Sequence, residues 1–177
     1  MQKKRAIFLD RDGTLIKAIY EPGAKKEIRA PFSMNELEFI DGVSTVLEAF
    51  RNMGLLRILV TNQPDVAHGY LSEDEWEKIH YTVTGALALD DVFMCRHRSQ
   101  DQCPLKKPSR LMILAACDKW GIDPKLSFMV GDIQSDMLAG KAAGCKTILI
   151  RKEYNQGTQA DIVVPDLLGA LEVMKTA

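Results

Sequence analysis

The chain has no apolar run approaching the ~20 residues that a membrane-spanning helix requires, and it has no internal repeat and no low-complexity tract. Those absences argue against a helical membrane protein, a solenoid and a disordered linker. An excess of charge is missing too, since 23 basic and 24 acidic side chains leave a formal net charge of −1. Nothing in that balance calls for nucleic acid or an anionic membrane as partner. Cysteine is scarce, at four residues, and no hydrophobic signal segment follows the basic start 1–5. No disulfide framework is expected, and the expected location is cytoplasmic. Cys117 and Cys145 read as small buried apolar residues, and His80 as a structural histidine. What the chain does have is 46% hydrophobic residues over 177 positions, enough to bury the core of a single domain spanning 1–177. A monomer is the expected state.

Apolar, β-rich stretches at 6–9, 56–60, 91–94, 127–130, 146–150 and 162–164 alternate with segments of helical composition. Helices are expected over 43–53, stopped by Gly54, over about 72–87 behind the capping sequence Ser72-Glu73-Asp74-Glu75, and over 110–120. Two more are expected over 137–143, stopped by Gly144, and from Asp166 to about Met174. Such alternation predicts an α/β fold, a Rossmann-like three-layer sandwich with a mainly parallel sheet and no large cap domain. Ligands of such folds bind at the carboxyl ends of the strands.

Four of those ends carry reactive side chains. Behind the first strand, Asp10-Arg11-Asp12-Gly13 sets two carboxylates at i and i+2, where extended chain points them the same way, toward one cation or one phosphate. Like charges so close ask for a neutralising metal, and Gly13 allows a sharp turn. An isolated D-x-D-G is as readily a solvated turn. Behind the second, Thr61-Asn62-Gln63 offers a hydroxyl and backbone N–H groups suited to phosphoryl oxygens, although threonine and asparagine are also ordinary strand and turn residues. Lys106-Lys107-Pro108 supplies positive charge ahead of a helix, and Gly131-Asp132 with Asp136 supplies further acids at another strand end or helix start.

The string Asp10-Arg11-Asp12-Gly13-Thr14 resembles the first motif of the haloacid dehalogenase-like (HAD) superfamily of aspartyl-phosphate phosphatases. Arginine between the aspartates is similar to the branch holding the capless heptose bisphosphate phosphatases and histidinol phosphatases. Thr61, Lys106-Lys107-Pro108 and Gly131-Asp132 with Asp136 resemble the second, third and fourth motifs, so the resemblance runs over about 5–150. It implies that Asp10 attacks phosphorus, that Asp12 protonates the leaving group and then activates water, and that Thr61 and Lys107 hold the phosphoryl oxygens. It also implies a magnesium ion held by Asp10, by Asp12 through its backbone carbonyl and by Asp132, with Asp136 supporting the loop. Thr14, Asn62, Gln63, His68, Lys106 and Arg110 become substrate contacts, although His68 reads equally as a solvent-exposed loop residue. His68 and Lys106 stand where relatives commonly have arginine, and lysine lacks arginine's bidentate fork, so Arg110 is the candidate to restore it. Between Thr14 and Asp41 there is room for a loop and not for a cap, which leaves selection to the segments 17–39, 64–70 and 95–110.

Cys95-Arg96-His97 and Cys103-Pro104-Leu105 resemble the zinc loop of the same phosphatases, with Leu105 in the place of the last cysteine. Zinc wants four ligands in a closed tetrahedron, and only Cys95, His97 and Cys103 remain, with Asp101 or a water as a conceivable fourth. A zinc-free loop held by packing, with Leu105 turned inward, is therefore favoured over a bound ion. The partner implied is a small phosphorylated metabolite. The resemblance to the heptose group implies removal of the 7-phosphate of D-glycero-D-manno-heptose 1,7-bisphosphate. Histidinol phosphate, another sugar phosphate, or a non-enzymatic phosphosugar-binding role are the alternatives.

Overall fold

The architecture comes from a computed structural model, which describes residues 3–24 and 27–176. The first two residues of the basic start, two lysines between Ala24 and Glu27, and the last residue lie outside the described residues. Six parallel strands form the main sheet in the order β5-β4-β1-β6-β7-β8: β1 (Arg5–Leu9), β4 (Leu55–Asn62), β5 (Asp91–Cys95), β6 (Phe128–Gly131), β7 (Lys146–Ile150) and β8 (Ile162–Val164). Four helices lie between them, α1 (Val43–Asn52), α2 (Glu73–Ala86), α3 (Leu111–Trp120) and α4 (Gln134–Ala143), and α5 (Leu167–Lys175) follows β8. Among the described residues no helix is long and apolar enough to cross a membrane.

The strands are apolar on both faces because both faces are covered. Within β1, Ile7 and Leu9 pack with α1, α2 and α5, while Ala6 and Phe8 pack with α3 and α4. Each fully buried Ile7, Phe8 or Leu9 contributes roughly 1.5–3 kcal/mol by leaving water. This alternation produces the expected three layers and puts β1 at the centre, flanked by β4 and β6. The ends of those three neighbours, spaced about 4.8 Å apart, are therefore the natural place for a shared site. Ser72 Oγ accepts from Glu75 N at 3.2 Å and Asp166 Oδ1 from Gly169 N at 2.7 Å, so both expected caps form.

Three local features differ from the expectation. Strand β4 runs on to Asn62, so Thr61 and Asn62 pair with Met94 and Cys95 of β5. Helix α4 begins at Gln134, a turn before the helical composition starts, because the Asp136 carboxylate accepts from the backbone N–H groups of Asp132 (3.3 Å) and Ile133 (3.2 Å) and caps the turn from inside. The segment after Thr14 is not a bare loop. It contains an antiparallel hairpin of β2 (Ile19–Tyr20) and β3 (Ile28–Arg29), followed by a 3₁₀ turn over Met34–Glu36. Strands of two residues carry no readable periodicity. Their clasp is a side-chain one, Arg29 reaching Glu36 at 2.9 and 3.0 Å and Glu21 at 3.1 Å.

Gly140 shows how tightly α4 lies on the sheet. A Cβ there would stand 2.5 Å from Met129 Cβ and 3.1 Å from Thr147 Cγ2, whereas one on Gly85 of α2 would meet nothing within 4 Å. Alanine normally favours a helix over glycine by about 0.5–1 kcal/mol. Gly85→Ala is accordingly expected to raise stability by that order in urea denaturation. Gly140→Ala is expected to lower it by about 1–3 kcal/mol, because overpacking against β6 outweighs propensity. A gain at both positions would show that α4 can move away from the sheet at little cost.

Candidate active site

Asp10 is the first residue beyond β1, and its N–H donates to the Val130 carbonyl of β6 at 3.1 Å, which fixes it between the two strands. Its Oδ1 accepts from Lys107 Nζ at 2.8 Å. The same ammonium donates to the Val60 carbonyl of β4 at 2.8 Å and lies 2.6 Å from Asp136 Oδ1. Lys107 is buried, and burial alone would push its pKa down; the Asp10 and Asp136 carboxylates outweigh that and hold the ammonium above its ordinary value. Its backbone is held as firmly. Asn62 Nδ2 donates to the Lys107 carbonyl and Lys107 N–H donates to Asn62 Oδ1, both at 3.0 Å. The following Lys107–Pro108 bond is cis.

The other acids answer this cation unevenly. Asp136 is completely buried and its pKa is pushed up to about 6, by burial and by the Asp10 charge, against the pull of Lys107. Asp132 is 1% exposed and is raised well above the usual carboxylate range by burial and by the charges of Asp136 and Asp10. Tyr154 Oη donates to Asp132 Oδ2, and Asn155 Nδ2 donates to the Asp132 and Ile150 carbonyls at 2.6 and 2.8 Å, so the loop after β7 clamps this residue. Among the described residues Asp132 Oδ1 has no hydrogen-bond partner. Two glycines make room for the acids. A Cβ on Gly13 would stand 2.0 Å from Asp132 Oδ2, at a φ of +83° that favours glycine in any case, and one on Gly131 would stand 2.3 Å from Asp136 Oδ2.

Carboxylate oxygens of Asp10, Asp132 and Asp136 lie within 4.8 Å of one another. The carboxylate of Asp12 is not in this group, contrary to the picture of two aspartates pointing at one cation. The turn at Gly13, where Leu15 and Ile16 N–H both donate to the Arg11 carbonyl, ends the extended geometry at once. Asp12 instead accepts from the buried Arg11 guanidinium at 3.1–3.3 Å and from Gln63 Nε2 at 2.6 Å. Gln63 Nε2 also donates to Thr61 Oγ1 at 3.0 Å. Asp10, Asp12, Asn62, Lys107 and Asp132 line one cleft, and Arg29 and Asp65 line it with them.

The remaining candidates stand elsewhere. Thr14 is fully buried, its hydroxyl without a hydrogen-bond partner among the described residues. His68 is exposed and stacks on Tyr70, with ring centroids 5.3 Å apart, and Tyr70 stacks on Phe32. Lys106 Nζ donates to the His97 carbonyl at 2.8 Å, and Arg110 Nη1 donates to the Ala142 carbonyl at 3.1 Å, at the far end of α4. Neither Lys106 nor Arg110 lines the cleft. Ligand atoms of Cys95, His97 and Cys103 do converge within 4.8 Å. Leu105 is not turned inward, being 41% exposed. The loop is held instead by hydrogen bonds, those of Lys106 and Asn62 and the Arg98–Asp101 pair at 2.9 Å. Tyr154, Asn155 and Arg29 escaped the sequence reading. Tyr154 and Asn155 had a usable signal, a polar pair just beyond β7, whereas Arg29 had none.

Similarity to known proteins follows the same lines. The HAD-hydrolase-like family model matches residues 104–170. A D-glycero-β-D-manno-heptose-1,7-bisphosphate 7-phosphatase of Pasteurella multocida is 40% identical over 84% of this chain and 82% of its own. The enzyme of that name in Escherichia coli K12 is 36% identical over 82% and 78%, and the α-anomer enzyme of Burkholderia mallei is 33% identical over 92% and 89%. Among solved structures, a D,D-heptose 1,7-bisphosphate phosphatase of B. bronchiseptica, complexed with magnesium and phosphate, superposes with a TM-score of 0.76 at 24% identity, covering 98% of this chain and 99% of that one.

The partnerless Asp132 oxygen, among hard oxygen donors, suits a divalent cation, and protons compete for the same site because Asp132 and Asp136 are raised by burial and mutual charge. Protonated acids stabilise the metal-free fold below these raised values, and that contribution is lost as pH rises through them. The cation's stabilisation runs the opposite way. The rise in melting temperature on adding Mg²⁺ is therefore expected to shrink between pH 7 and pH 5. Tyr154→Phe removes the donor that lowers Asp132, so its Mg²⁺ affinity is expected to fall by roughly 10-fold or more, and its increment should vanish at a higher pH. An increment independent of pH would place the ion elsewhere.

Proposed function

Because this chain belongs to the HAD-like hydrolase family, in the branch of the heptose-1,7-bisphosphate 7-phosphatases, we propose that it removes the 7-phosphate of D-glycero-D-manno-heptose 1,7-bisphosphate through a phosphorylated Asp10. The observation that carries this reading is the Lys107 ammonium seated between Asp10 and Asp136, an arrangement that orients a carboxylate nucleophile while neutralising charge beside it. In the first step an Asp10 oxygen attacks phosphorus and the ester bond to the sugar breaks, with the leaving alkoxide taking a proton from Asp12. In the second, Asp12 takes a proton from water, which attacks phosphorus and frees Asp10. Arg11 and Gln63 hold the Asp12 carboxyl group at the cleft, apart from the three clustered acids.

Asp10 and Asp132, with their oxygens close and one of them partnerless, would hold Mg²⁺ together with the Asp12 backbone carbonyl that the family motif implies. When bound, the ion would draw the phosphoryl oxygens toward the nucleophile and offset their charge. Asp136, already paired with Lys107 and with two backbone N–H groups, serves as a support for the lysine. Lys107 would hold phosphoryl oxygens, with the buried Thr61 hydroxyl, which accepts from Gln63 Nε2, as a further donor, and Asn62 holds the lysine's backbone. The cation set for the sugar's other phosphate is not the one the family motif suggests, since Lys106 and Arg110 are turned to backbone carbonyls outside the cleft.

The test is phosphate release, with Mg²⁺, from a panel of both anomers of heptose 1,7-bisphosphate, histidinol phosphate and common sugar monophosphates. Heptose bisphosphate is expected to have the highest kcat/KM, with the 1-phosphate retained in the product, and Asp10→Asn to lose all but background turnover. A preference for histidinol phosphate would move the chain to the neighbouring activity. Tight binding without turnover would make it a phosphosugar-binding protein.

Asp12 is tested separately by leaving-group dependence. If it protonates the departing oxygen, Asp12→Asn is expected to slow the sugar ester by about 10²–10⁴ and an aryl phosphate, whose phenolate needs little help, far less. Equal losses in the phosphorylation step would remove the acid role.

A further inference from the structure

Cys95 is the last residue of β5 and pairs in register with Asn62, the residue whose side-chain amide grips the Lys107 backbone. Cys103 stands at the other end of the same loop. Its carbonyl accepts from Lys106 N–H at 3.2 Å, opening the turn that delivers Lys107. The two sulfurs lie within 4.8 Å of each other. Chain, ladder and amide thus already close a ring from Cys95 through Asn62 and Lys107 to Cys103, and one bond between the sulfurs would brace it. The residue that would make a fourth zinc thiolate in this branch is Leu105, which faces solvent, so the pair is not locked into a closed metal shell.

We propose that Cys95 and Cys103 form a reversible dithiol–disulfide pair that exchanges with small-molecule disulfides and, when joined, changes the seating of Lys107. Sulfur–sulfur bonding requires about 2.05 Å, so closure moves the loop by less than the present separation. Gln102, just before Cys103, is the one non-glycine among the described residues at positive φ (+50°), a backbone conformation that residues with a side chain seldom adopt. Half-buried Cys103 is the point of attack. Its thiolate attacks one sulfur of the small disulfide, expelling one thiolate and leaving a mixed disulfide. Cys95 then attacks the Cys103 sulfur and expels the second thiolate; its proton passes first to His97 Nδ1, 3.8 Å away, and from there to the departing thiolate. Two protein thiols are oxidised and one small disulfide is reduced to two thiols. Burial raises the thiols of Cys95, Cys117 and Cys145 alike, but only Cys95 of these three has a ring nitrogen beside its sulfur, His97 Nδ1, to take its proton.

The experiment treats the reduced, full-length protein, after exposure to a chelator, with excess oxidised glutathione, and reads thiol titre, peptide masses and phosphatase rate. The expected result is a loss of two titratable thiols, a peptide pair joining Cys95 to Cys103 that is lighter by two hydrogens, and a several-fold fall in kcat, all reversed by dithiothreitol. Cys103→Ser protein is expected to keep its own rate under the same treatment. The rate arm rests on the phosphatase reading, whereas the thiol and mass arms do not, so the two fail separately. A glutathione adduct that stays on Cys103, a bridge involving Cys117 or Cys145, or one zinc per chain retained through chelation and shielding the thiols would overturn the proposal. A Cys95–Cys103 bridge with unchanged kcat would overturn its link to Lys107.

Discussion

The Lys107 ammonium, buried between Asp10, Asp136 and the Val60 carbonyl, is the contact on which the strand-end segments depend. Each partner comes from a different part of the chain: the end of β1, the body of β4 and the first turn of α4. Taking a charge out of water costs several kcal/mol, and good geometry offsets that cost only while all partners stay in place. Losing one acid would strand the ammonium, and losing the lysine would strand two acids. The cation therefore fixes the relative positions of three elements more sharply than apolar packing, which tolerates volume-conserving exchange.

That contact leaves the site short of positive charge. Asp10, Asp132 and Asp136 crowd around a single lysine, and the consequence is visible in the raised proton affinity of Asp132 and Asp136. Asp136 is compensated by Lys107 and two backbone N–H groups. Asp132 is compensated only on one oxygen, by Tyr154, while Asn155 holds its carbonyl and so its orientation. A carboxylate that is rigidly aimed, buried and half-satisfied is unstable as an anion and well made as a ligand. Gly13 and Gly131 belong to the same arrangement, since neither Asp132 nor Asp136 would fit beside a side chain at those positions.

The sequence was most legible where a continuous apolar run ended in a polar residue. Runs such as 6–9 and 56–60, bounded by turn residues and rich in β-formers, read as strands buried on both faces, and a parallel sheet then brings the reactive residues behind them to one edge. Legibility failed where a contact depends on partners far apart in the chain. Arg110 looked like a replacement guanidinium one turn after Lys107, yet the orientation of α3 sends it to the Ala142 carbonyl. Leu105 looked like a buried substitute for a ligand, yet the hydrogen bonds of neighbouring residues hold the loop and leave it outside. Asp12 shows a third cause, a local one, because the turn closed on the Arg11 carbonyl begins between the two aspartates and ends the alternation on which the pointing argument rested.

The division between strand ends and loops also separates two kinds of precision. Asp10, Thr61 and Asn62 are held by the ladder or by hydrogen bonds into it, so their positions vary only if the sheet does. Arg29, which lines the same cleft, is held differently. It belongs to a two-residue strand and is kept in place by Glu21 and Glu36, half-exposed acids whose grip on a solvent-washed hairpin is weak and sensitive to salt. That part of the lining can change in sequence or position with little effect on the buried Lys107 contact. Buried and surface charge therefore hold the two parts of the cleft with different free energies, and the second can be altered while the first stays intact.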